Sequence, residues 1–291
     1  MEKKYSTLLS LKVIFHIQNF KFNFSKISLP EMYSSTNLMK KVIICGFPHC
    51  GTTILKSIIG HMPNVKEIIK ERKRFLEEDL DSSFDFILCK TPWAPNSLFH
   101  DSHFDDYIKI FIIRNPLWIF SSLNKRCDNP KDNGIPEDHS VSKYIDTAER
   151  WLSFIGSKRE DIFLLKYENM FANDFAVLRQ IFDQIGFTYT NEVFQNDKFR
   201  NFSHEHQNSE HIPTSLSCSK EHKWVNVDHE NYRLWQINQP IQNMNTLNKL
   251  DYLLPEQISQ LQKSQVVMQL YPEIPKLLSQ RVISSTTLKT E

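Results

Sequence analysis

The chain has 291 residues, which is enough for one large α/β domain with a full hydrophobic core. Lys and Arg number 35 and Asp and Glu number 34, so the protein as a whole lacks the basic field that steers nucleic acids. We therefore expect no nucleic-acid partner, and any anion site has to be local. The five cysteines form no Cys-x-x-Cys pair, which favours reduced thiols in a cytoplasmic protein.

The N-terminal residues 1–38 precede the first predicted strand. Their most apolar stretch, Leu8–Phe15, is interrupted by Lys12 and followed by polar residues, so it is too short and too polar for a transmembrane segment. We expect residues 39–291 to form a single domain and residues 1–38 to be a packed or frayed N-terminal extension, with an extension that the fold can lose as the open alternative. A polar loop or lid is expected at about residues 195–235, which have little apolar periodicity.

Apolar runs typical of strands alternate with helical patterns along the chain. Strands are predicted at Val42–Ile44, Asp85–Lys90, Ile108–Ile113 and Asp161–Lys166, and helices at Thr53–His61, Leu117–Arg126, Val141–Gly156, Asn173–Gly186 and from Pro255 to about Leu270. The alternation predicts a three-layer α/β/α fold with a central parallel sheet, and the glycine loop described below makes it a fold of the P-loop type. Ligands of such sheets bind at the carboxyl ends of the strands. The charged segment 66–81 is expected to be a solvated helix face.

The segment Gly46–Thr53 joins the first predicted strand to the first helix and reads Gly-Phe-Pro-His-Cys-Gly-Thr-Thr. Backbone N–H groups in such a loop, together with the positive end of the helix dipole, form an anion site. The Gly-x4-Gly spacing is that of a P-loop, but Thr52 stands where nucleotide-hydrolysing P-loops have lysine. Taken alone the pattern is weak, because a glycine turn between a strand and a helix is common.

A second anion site is indicated by Arg114, which follows the third predicted strand, and by Ser122, almost two turns into the next helix. A phosphate fits between a guanidinium fork and a hydroxyl. When the two residues are considered alone, an ordinary surface environment is enough to explain them, with Arg114 in a salt bridge and Ser122 facing solvent. The order of all the motifs along the chain decides between these interpretations.

Four motifs, in this order, resemble those of the sulfotransferases that use 3′-phosphoadenosine 5′-phosphosulfate (PAPS). Gly46–Thr53 is similar to the Gly-x-Pro-(Lys/Arg)-Ser-Gly-Thr-Thr loop of that family, and Lys90–Pro92 to its Lys-Thr segment. Phe111–Ser122 is similar to its 3′-phosphate motif, and Leu164–Met170 to its Arg-Tyr-Glu-Asp-Leu segment. The match covers roughly residues 40–190, and the joint pattern is more specific than any one motif.

The resemblance implies transfer of a sulfuryl group from PAPS to a hydroxyl or amine of a small-molecule or glycan acceptor, with adenosine 3′,5′-bisphosphate (PAP) as product. In-line transfer of a monoanionic group needs positioning and charge stabilisation, so no metal is expected. Carried over to this chain, the residues that bind the nucleotide are Gly46, Pro48, His49, Cys50, Gly51, Thr52 and Thr53 around the phosphosulfate, Arg114 and Ser122 at the 3′-phosphate, and Tyr167 near the adenine. A strand-end aromatic that only packs in the protein is the equal alternative for Tyr167.

The general base is sought among the residues after the first helix. In the branch of the family that acts on sugars, a glutamate follows the His-Pro at the end of that helix by some eight residues, and Glu71 follows Pro63 by eight. Glu67 and His61 are the alternatives. Lys90 is expected to orient the acceptor or the bridging oxygen.

Two residues of the loop depart from the family pattern. His49 stands in place of the Lys or Arg, and a neighbouring phosphosulfate would favour its protonated form, so it is a candidate cation or acid. Cys50 stands in place of the serine. A helix N-terminus lowers the pKa of a thiol, so a reactive Cys50 is the alternative, but the favoured interpretation is a buried, inert thiol.

Other functions remain open at the level of the sequence. A P-loop nucleotide kinase or NTPase fits the glycine spacing, but lacks the lysine at position 52 and a carboxylate for Mg²⁺ at a central strand end. A catalytically silent nucleotide-binding protein of the same fold fits the replacement of the loop cation by His49. His204, His206 and His211 lie in a polar segment without a metal-binding motif, which favours coincidence.

Overall fold

The structure is a computed structural model that describes residues 39–68, 71–126, 139–195, 243, 245 and 247–287. Three predictions fall outside these residues: the N-terminal extension 1–38, almost all of the loop or lid at about 195–235, and the histidines at 204, 206 and 211. They stay predictions. No helix in the described ranges is long and apolar enough to cross a membrane.

Five parallel strands form one sheet in the order β2-β3-β1-β4-β5. They are β1 (Lys40–Cys45), β2 (Val65–Glu67), β3 (Phe86–Lys90), β4 (Tyr107–Ile113) and β5 (Ile162–Lys166). The three central strands are buried almost throughout, as their runs of Val, Ile and Leu require, because helices cover a parallel sheet on both faces. The predicted three-layer α/β fold of the P-loop type is confirmed.

Nine α-helices lie in the described ranges. They are α1 (Thr52–Gly60), α2 (Asn96–His100), α3 (Pro116–Arg126), α4 (Val141–Ser153), α5 (Tyr167–Met170), α6 (Ala176–Ile185), α7 (Pro255–Lys263), α8 (Gln265–Leu270) and α9 (Ile274–Thr287). Short 3-10 helices occur at Glu77–Asp79, Ser102–Phe104, Asn191–Phe194 and Leu247–Tyr252.

The strand order places the candidate residues at one edge of the sheet. From β1 the chain passes to β2 and β3 on one side, then crosses to β4 and β5 on the other, so β1 lies at the switch point where ligands of open α/β sheets bind. The register pairs Ile44 with Lys90 and Ile113 with Lys166. The residues that follow these strands therefore share the carboxyl edge.

The prediction of a solvated helix face at residues 66–81 is wrong. Val65–Glu67 forms β2, which pairs with β3, and residues 71–81 are irregular apart from the 3-10 turn at Glu77–Asp79. A strand of three residues is too short to show an apolar period. Its Glu67 is buried because a lysine from α1 is its partner, a contact that the local sequence does not reveal.

Several helix boundaries also differ from the prediction, and the structure shows the reason for two of them. α6 begins three residues late, because Asn173, Asp174 and Phe175 adopt left-handed φ angles of 50°, 53° and 59°, which a helix cannot contain. The predicted C-terminal helix breaks at Ser264, whose hydroxyl accepts the N–H of Val267 (3.3 Å) and starts α8.

Candidate active site at the carboxyl edge of the sheet

The loop between β1 and α1 depends on two glycines. A Cβ at Gly46 would overlap the carbonyl oxygen of Ile112, so the loop can pack directly on the backbone of β4 only with glycine here. Gly51 has φ 98° and caps α1, and a Cβ at this position would lie 2.5 Å from Cδ2 of Tyr167. His49 also has a left-handed φ, 67°. The tight turn brings the start of α1 to the edge of the sheet.

The first turn of α1 points its N–H groups towards this edge. The first helical bond runs from the N–H of Leu55 to the carbonyl of Gly51 (3.1 Å), so the N–H groups of Thr52, Thr53 and Ile54 belong to the turn that has no intrahelical acceptor. The N–H of Cys50 is bonded within the loop, to the carbonyl of Phe47 (3.0 Å). The anion site predicted for this loop thus has its donors in the first helical turn.

Lys90, Glu71 and Thr53 form one cluster beside this turn. Lys90 Nζ donates to Thr53 Oγ1 (2.6 Å) and lies 2.8 Å from Glu71 Oε1. The side chains of Lys90 and Glu71 are 5% and 19% exposed. The backbone N–H of Arg72 donates to the carbonyl of Lys90 (3.2 Å) and holds this segment against β3. Two predicted catalytic residues and one predicted nucleotide-binding residue therefore lie in direct contact.

The alternative bases lie elsewhere. Glu67 forms a buried ion pair with Lys56 (2.8 Å), and its carboxylate packs under Gly60, where an added Cβ would lie 2.7 Å from Oε2. His61 caps the far end of α1, where its Nδ1 is 2.5 Å from the carbonyl of Ser57. Nine helical residues separate it from the loop by about 13 Å. Of the three carboxylate and imidazole candidates, Glu71 is the one in contact with Lys90.

Arg114 lies directly against the loop and is 6% exposed. Its Nη1 donates to the carbonyl of His49 (3.1 Å), and its Cζ lies 4.2 Å from the centroid of the Tyr167 ring. Its Nε (2.9 Å) and Nη2 both donate to Oδ1 of Asn245. Burial lowers the pKa of the Arg114 guanidinium from its usual value.

Tyr167 and Ser122 complete the predicted set. Tyr167 is 2% exposed and fills the space between Gly51 and Arg114, so in this structure it is an inner wall of the loop. Ser122 is half-buried on α3, the helix that begins two residues after Arg114. The roles of both residues at the nucleotide stay predictions.

The contacts of three polar residues of this region, Asn115, Glu168 and Asn245, were not predicted from the sequence. Glu168 accepts from the backbone N–H of Asn115 (2.8 Å) and from Nδ2 of Asn245 (3.3 Å), both through Oε1. Burial raises the pKa of Glu168. The Leu164–Met170 motif pointed at its neighbour Tyr167, whereas Asn245 is 131 positions from Arg114 in a segment without recognisable pattern.

The structure agrees with the interpretation of Cys50 as a buried thiol. The Cys50 thiol is fully buried, and this burial raises its pKa to about 12, an effect larger than those of the nearby backbone and of Arg114. Cys45 and Cys89 are likewise buried free thiols.

We therefore expect the Cys50 peptide to stay unlabelled when the native protein is treated with iodoacetamide at pH 8, and to become labelled after denaturation. Peptide mapping by mass spectrometry provides the measurement. Equal labelling rates in the native and denatured protein would contradict the buried assignment.

A cavity of about 800 Å³ opens beside the cluster. The residues that line it belong to the segment after β2 and to the region of α2, and they are Glu71, Arg72, Lys73, Arg74, Leu76, Glu78, Ser97, Asp101 and Phe104. No group of three His, Cys, Asp or Glu side chains in the described ranges is arranged to hold a metal ion.

Comparison with known proteins places the chain in a family. The family model described as "Sulfotransferase domain" matches residues 39–263. Among solved structures, a mouse sulfotransferase complexed with PAP is 14% identical, with a TM-score of 0.44 over 82% of this chain and 90% of that chain. The sulfotransferase domain of the Synechococcus PCC 7002 olefin synthase is 13% identical, with a TM-score of 0.41 over 71% and 98%. A retinol dehydratase in complex with androsterone and inactive cofactor PAP is 14% identical, with a TM-score of 0.42 over 83% and 80%.

No curated protein matches the chain. The family model, in contrast, extends over most of the sequence. The matched residues include all five strands, the glycine loop, and the positions of Glu71, Lys90 and Arg114. The chain belongs to the sulfotransferase domain family.

Proposed function

We propose that the protein transfers a sulfuryl group from PAPS to a hydroxyl or amine of a sugar or other small molecule, by in-line displacement and without a metal ion. Membership of the sulfotransferase family supplies the reaction class. The observation that carries the proposal is the contact of Lys90 with both Thr53 and Glu71 at the first turn of α1. In this contact a buried cation, Lys90, lies within hydrogen-bonding distance of both a residue of the anion site, Thr53, and a carboxylate, Glu71.

Each of these groups has a part in the transfer. A phosphosulfate over the first turn of α1 accepts hydrogen bonds from the backbone N–H groups. The ammonium of Lys90 stabilises the negative charge that develops on the bridging oxygen. Glu71, on the cavity side of Lys90, accepts the proton of the acceptor as sulfur is attacked. PAP is the leaving group, and its 5′-phosphate is bound by the loop and its 3′-phosphate by Arg114.

The cavity beside Glu71 is the proposed acceptor site. Its volume of about 800 Å³ falls in the range of small-molecule sites. Three basic and three acidic side chains line it together with Ser97 and the apolar Leu76 and Phe104, and such a lining offers many donors and acceptors but no net charge. This supports a polar, hydroxylated acceptor such as a sugar. We also propose a cytoplasmic location, which the buried free thiols support and cell fractionation would check.

Calorimetry and a transfer assay test the proposal together. We expect PAP to bind without Mg²⁺, and labelled sulfate to pass from PAPS to at least one member of a panel of sugars and small hydroxylated or aminated molecules. Binding of Mg-ATP without affinity for PAP would instead favour a nucleotide kinase or NTPase.

A catalytically silent nucleotide-binding protein is the second candidate. The observation that favours it is His49, which stands where the family has a permanent cation and whose carbonyl is bonded to Arg114. This candidate predicts PAP binding without transfer to any acceptor, and a gain of transfer in the His49→Lys variant.

The Arg114→Ala variant should bind PAP about 2–3 kcal/mol more weakly, because a charged hydrogen-bond pair to the 3′-phosphate is lost. Titration calorimetry measures the effect. Arg179→Ala is the matched control: Arg179 also stacks on an aromatic ring, Phe194, at 4.2 Å, and bonds Asn191 at 2.7 Å, but it lies on the surface of α6. Unchanged PAP affinity in Arg114→Ala would remove Arg114 from the site.

A further inference from the structure

Arg114 is connected to a largely buried carboxylate through one amide side chain. Asn245 Oδ1 accepts two N–H groups of the Arg114 guanidinium, and Asn245 Nδ2 donates to Glu168 Oε1 (3.3 Å). A primary amide has one oxygen acceptor and one nitrogen donor. The bond to Glu168 therefore determines that the oxygen of Asn245, and not its nitrogen, faces Arg114.

The same carboxylate oxygen also fixes the start of α3. Glu168 Oε1 accepts the backbone N–H of Asn115 at 2.8 Å, and the side chain of Asn115 accepts the N–H of Leu117 (3.1 Å) at the first turn of that helix. Glu168 thus acts on both sides of Arg114: on its side chain through Asn245, and on its backbone through the next residue.

The contact with Tyr167 holds the Arg114 guanidinium over the aromatic ring but leaves it able to turn there. The bonds to Asn245 and to the carbonyl of His49 remove this freedom. They occupy Nε–H, one N–H of Nη2 and one N–H of Nη1, so of the five N–H groups, one on each terminal nitrogen has no partner in the described ranges. Two N–H groups of this kind suit an oxyanion.

We propose that Asn245 and Glu168 are positioning residues for the donor nucleotide, which orient the guanidinium of Arg114 for the 3′-phosphate. This inference rests on the proposed function. Neither residue contacts the reacting sulfuryl group, and their effect is confined to the end of the nucleotide that carries the 3′-phosphate.

The test compares PAP with adenosine 5′-monophosphate, which is the same nucleotide without the 3′-phosphate. The dissociation constant of adenosine 5′-monophosphate divided by that of PAP measures what the 3′-phosphate contributes to binding. We expect Asn245→Ala to reduce this ratio by roughly tenfold, since a bond that orients a charged donor is lost, while the affinity for adenosine 5′-monophosphate changes little. Asn191→Ala, which removes the partner of the stacked Arg179, should leave the ratio unchanged.

The isosteric variant Asn245→Asp keeps the packing but replaces the amide donor with an anion. It keeps the volume of the side chain, but it places a carboxylate against Glu168 and on the guanidinium, where it competes with the phosphate. The ratio should then fall at least as far as in Asn245→Ala. Glu168→Gln retains an acceptor oxygen for Asn115 and Asn245, so it should lower the ratio less than Glu168→Ala.

The outcomes distinguish this inference from the proposed function. If the wild-type protein binds PAP no better than adenosine 5′-monophosphate, or binds neither, the proposed function fails and the inference with it. If the wild type discriminates and both Asn245 variants discriminate equally well, the inference alone is wrong. Tighter PAP binding in Asn245→Ala would also overturn it, because Asn245 would then be a competitor for the 3′-phosphate.

Discussion

Replacing Glu71 by glutamine should reduce kcat for sulfuryl transfer by about 10²–10⁴-fold, the range expected when a general base is removed. Glutamine keeps an oxygen at the position that lies 2.8 Å from Lys90 Nζ, so the cluster can retain its shape while it loses the ability to accept a proton. The affinity for PAP should remain nearly unchanged, because Glu71 lies on the acceptor side of Lys90. Single-turnover transfer of labelled sulfate and calorimetry with PAP supply the two measurements.

Glu78→Gln is the matched control for this change. Glu78 lines the same cavity as Glu71 but is exposed, so its replacement should leave kcat close to that of the wild type. Turnover of Glu71→Gln at the wild-type rate would exclude Glu71 as the base. If Glu71→Gln also lost affinity for PAP, Glu71 would instead belong to the nucleotide-binding site.

The sequence predicted which residues share the carboxyl edge, because that outcome follows from the arrangement of parallel strands alone. Lys90, Arg114 and Tyr167 each end or follow an apolar run, and such ends meet at one edge of a parallel sheet. Their direct contacts with the loop, Lys90 with Thr53 and Arg114 with the carbonyl of His49, add distances that no pattern could supply.

The position of Glu71 was proposed by counting from Pro63, and the structure supplies the reason for its approach to Lys90. β2 runs beside β3 with Glu67 opposite Leu88, and the N–H groups of Ile68 and Arg72 continue the contact with β3 as far as Lys90. The sequence did not reveal β2, since three residues with one apolar side chain give no periodic signal.

The Asn245 and Glu168 contacts lay beyond sequence reasoning for a different reason. An asparagine in a polar segment and a glutamate beside a motif tyrosine are each explained by solvent exposure. Their function in the site depends on a contact that spans 131 positions, and the burial that makes the contact matter is a property of the folded chain.

The Lys56→Met variant should lower the free energy of unfolding by about 3–5 kcal/mol, because it leaves the Glu67 carboxylate buried without its partner. Both side chains of this pair are only 1% exposed, and their charged atoms are 2.8 Å apart. The pair connects α1, the helix that follows the glycine loop, to β2, the strand that precedes Glu71. Urea denaturation followed by circular dichroism measures the loss.

Two further variants test the physical cause. Lys41→Met removes an ion pair of almost the same length, 2.7 Å to Asp106, but the side chains of that pair are 27% and 60% exposed, so it should cost less than about 1 kcal/mol. The double variant Lys56→Met with Glu67→Leu removes both buried charges and should recover most of the stability lost in Lys56→Met. Two results would contradict this explanation: a loss of unfolding free energy in Lys56→Met no larger than in Lys41→Met, or a double variant as unstable as Lys56→Met. Either would show that the ion pair does not compensate for the desolvation of Glu67.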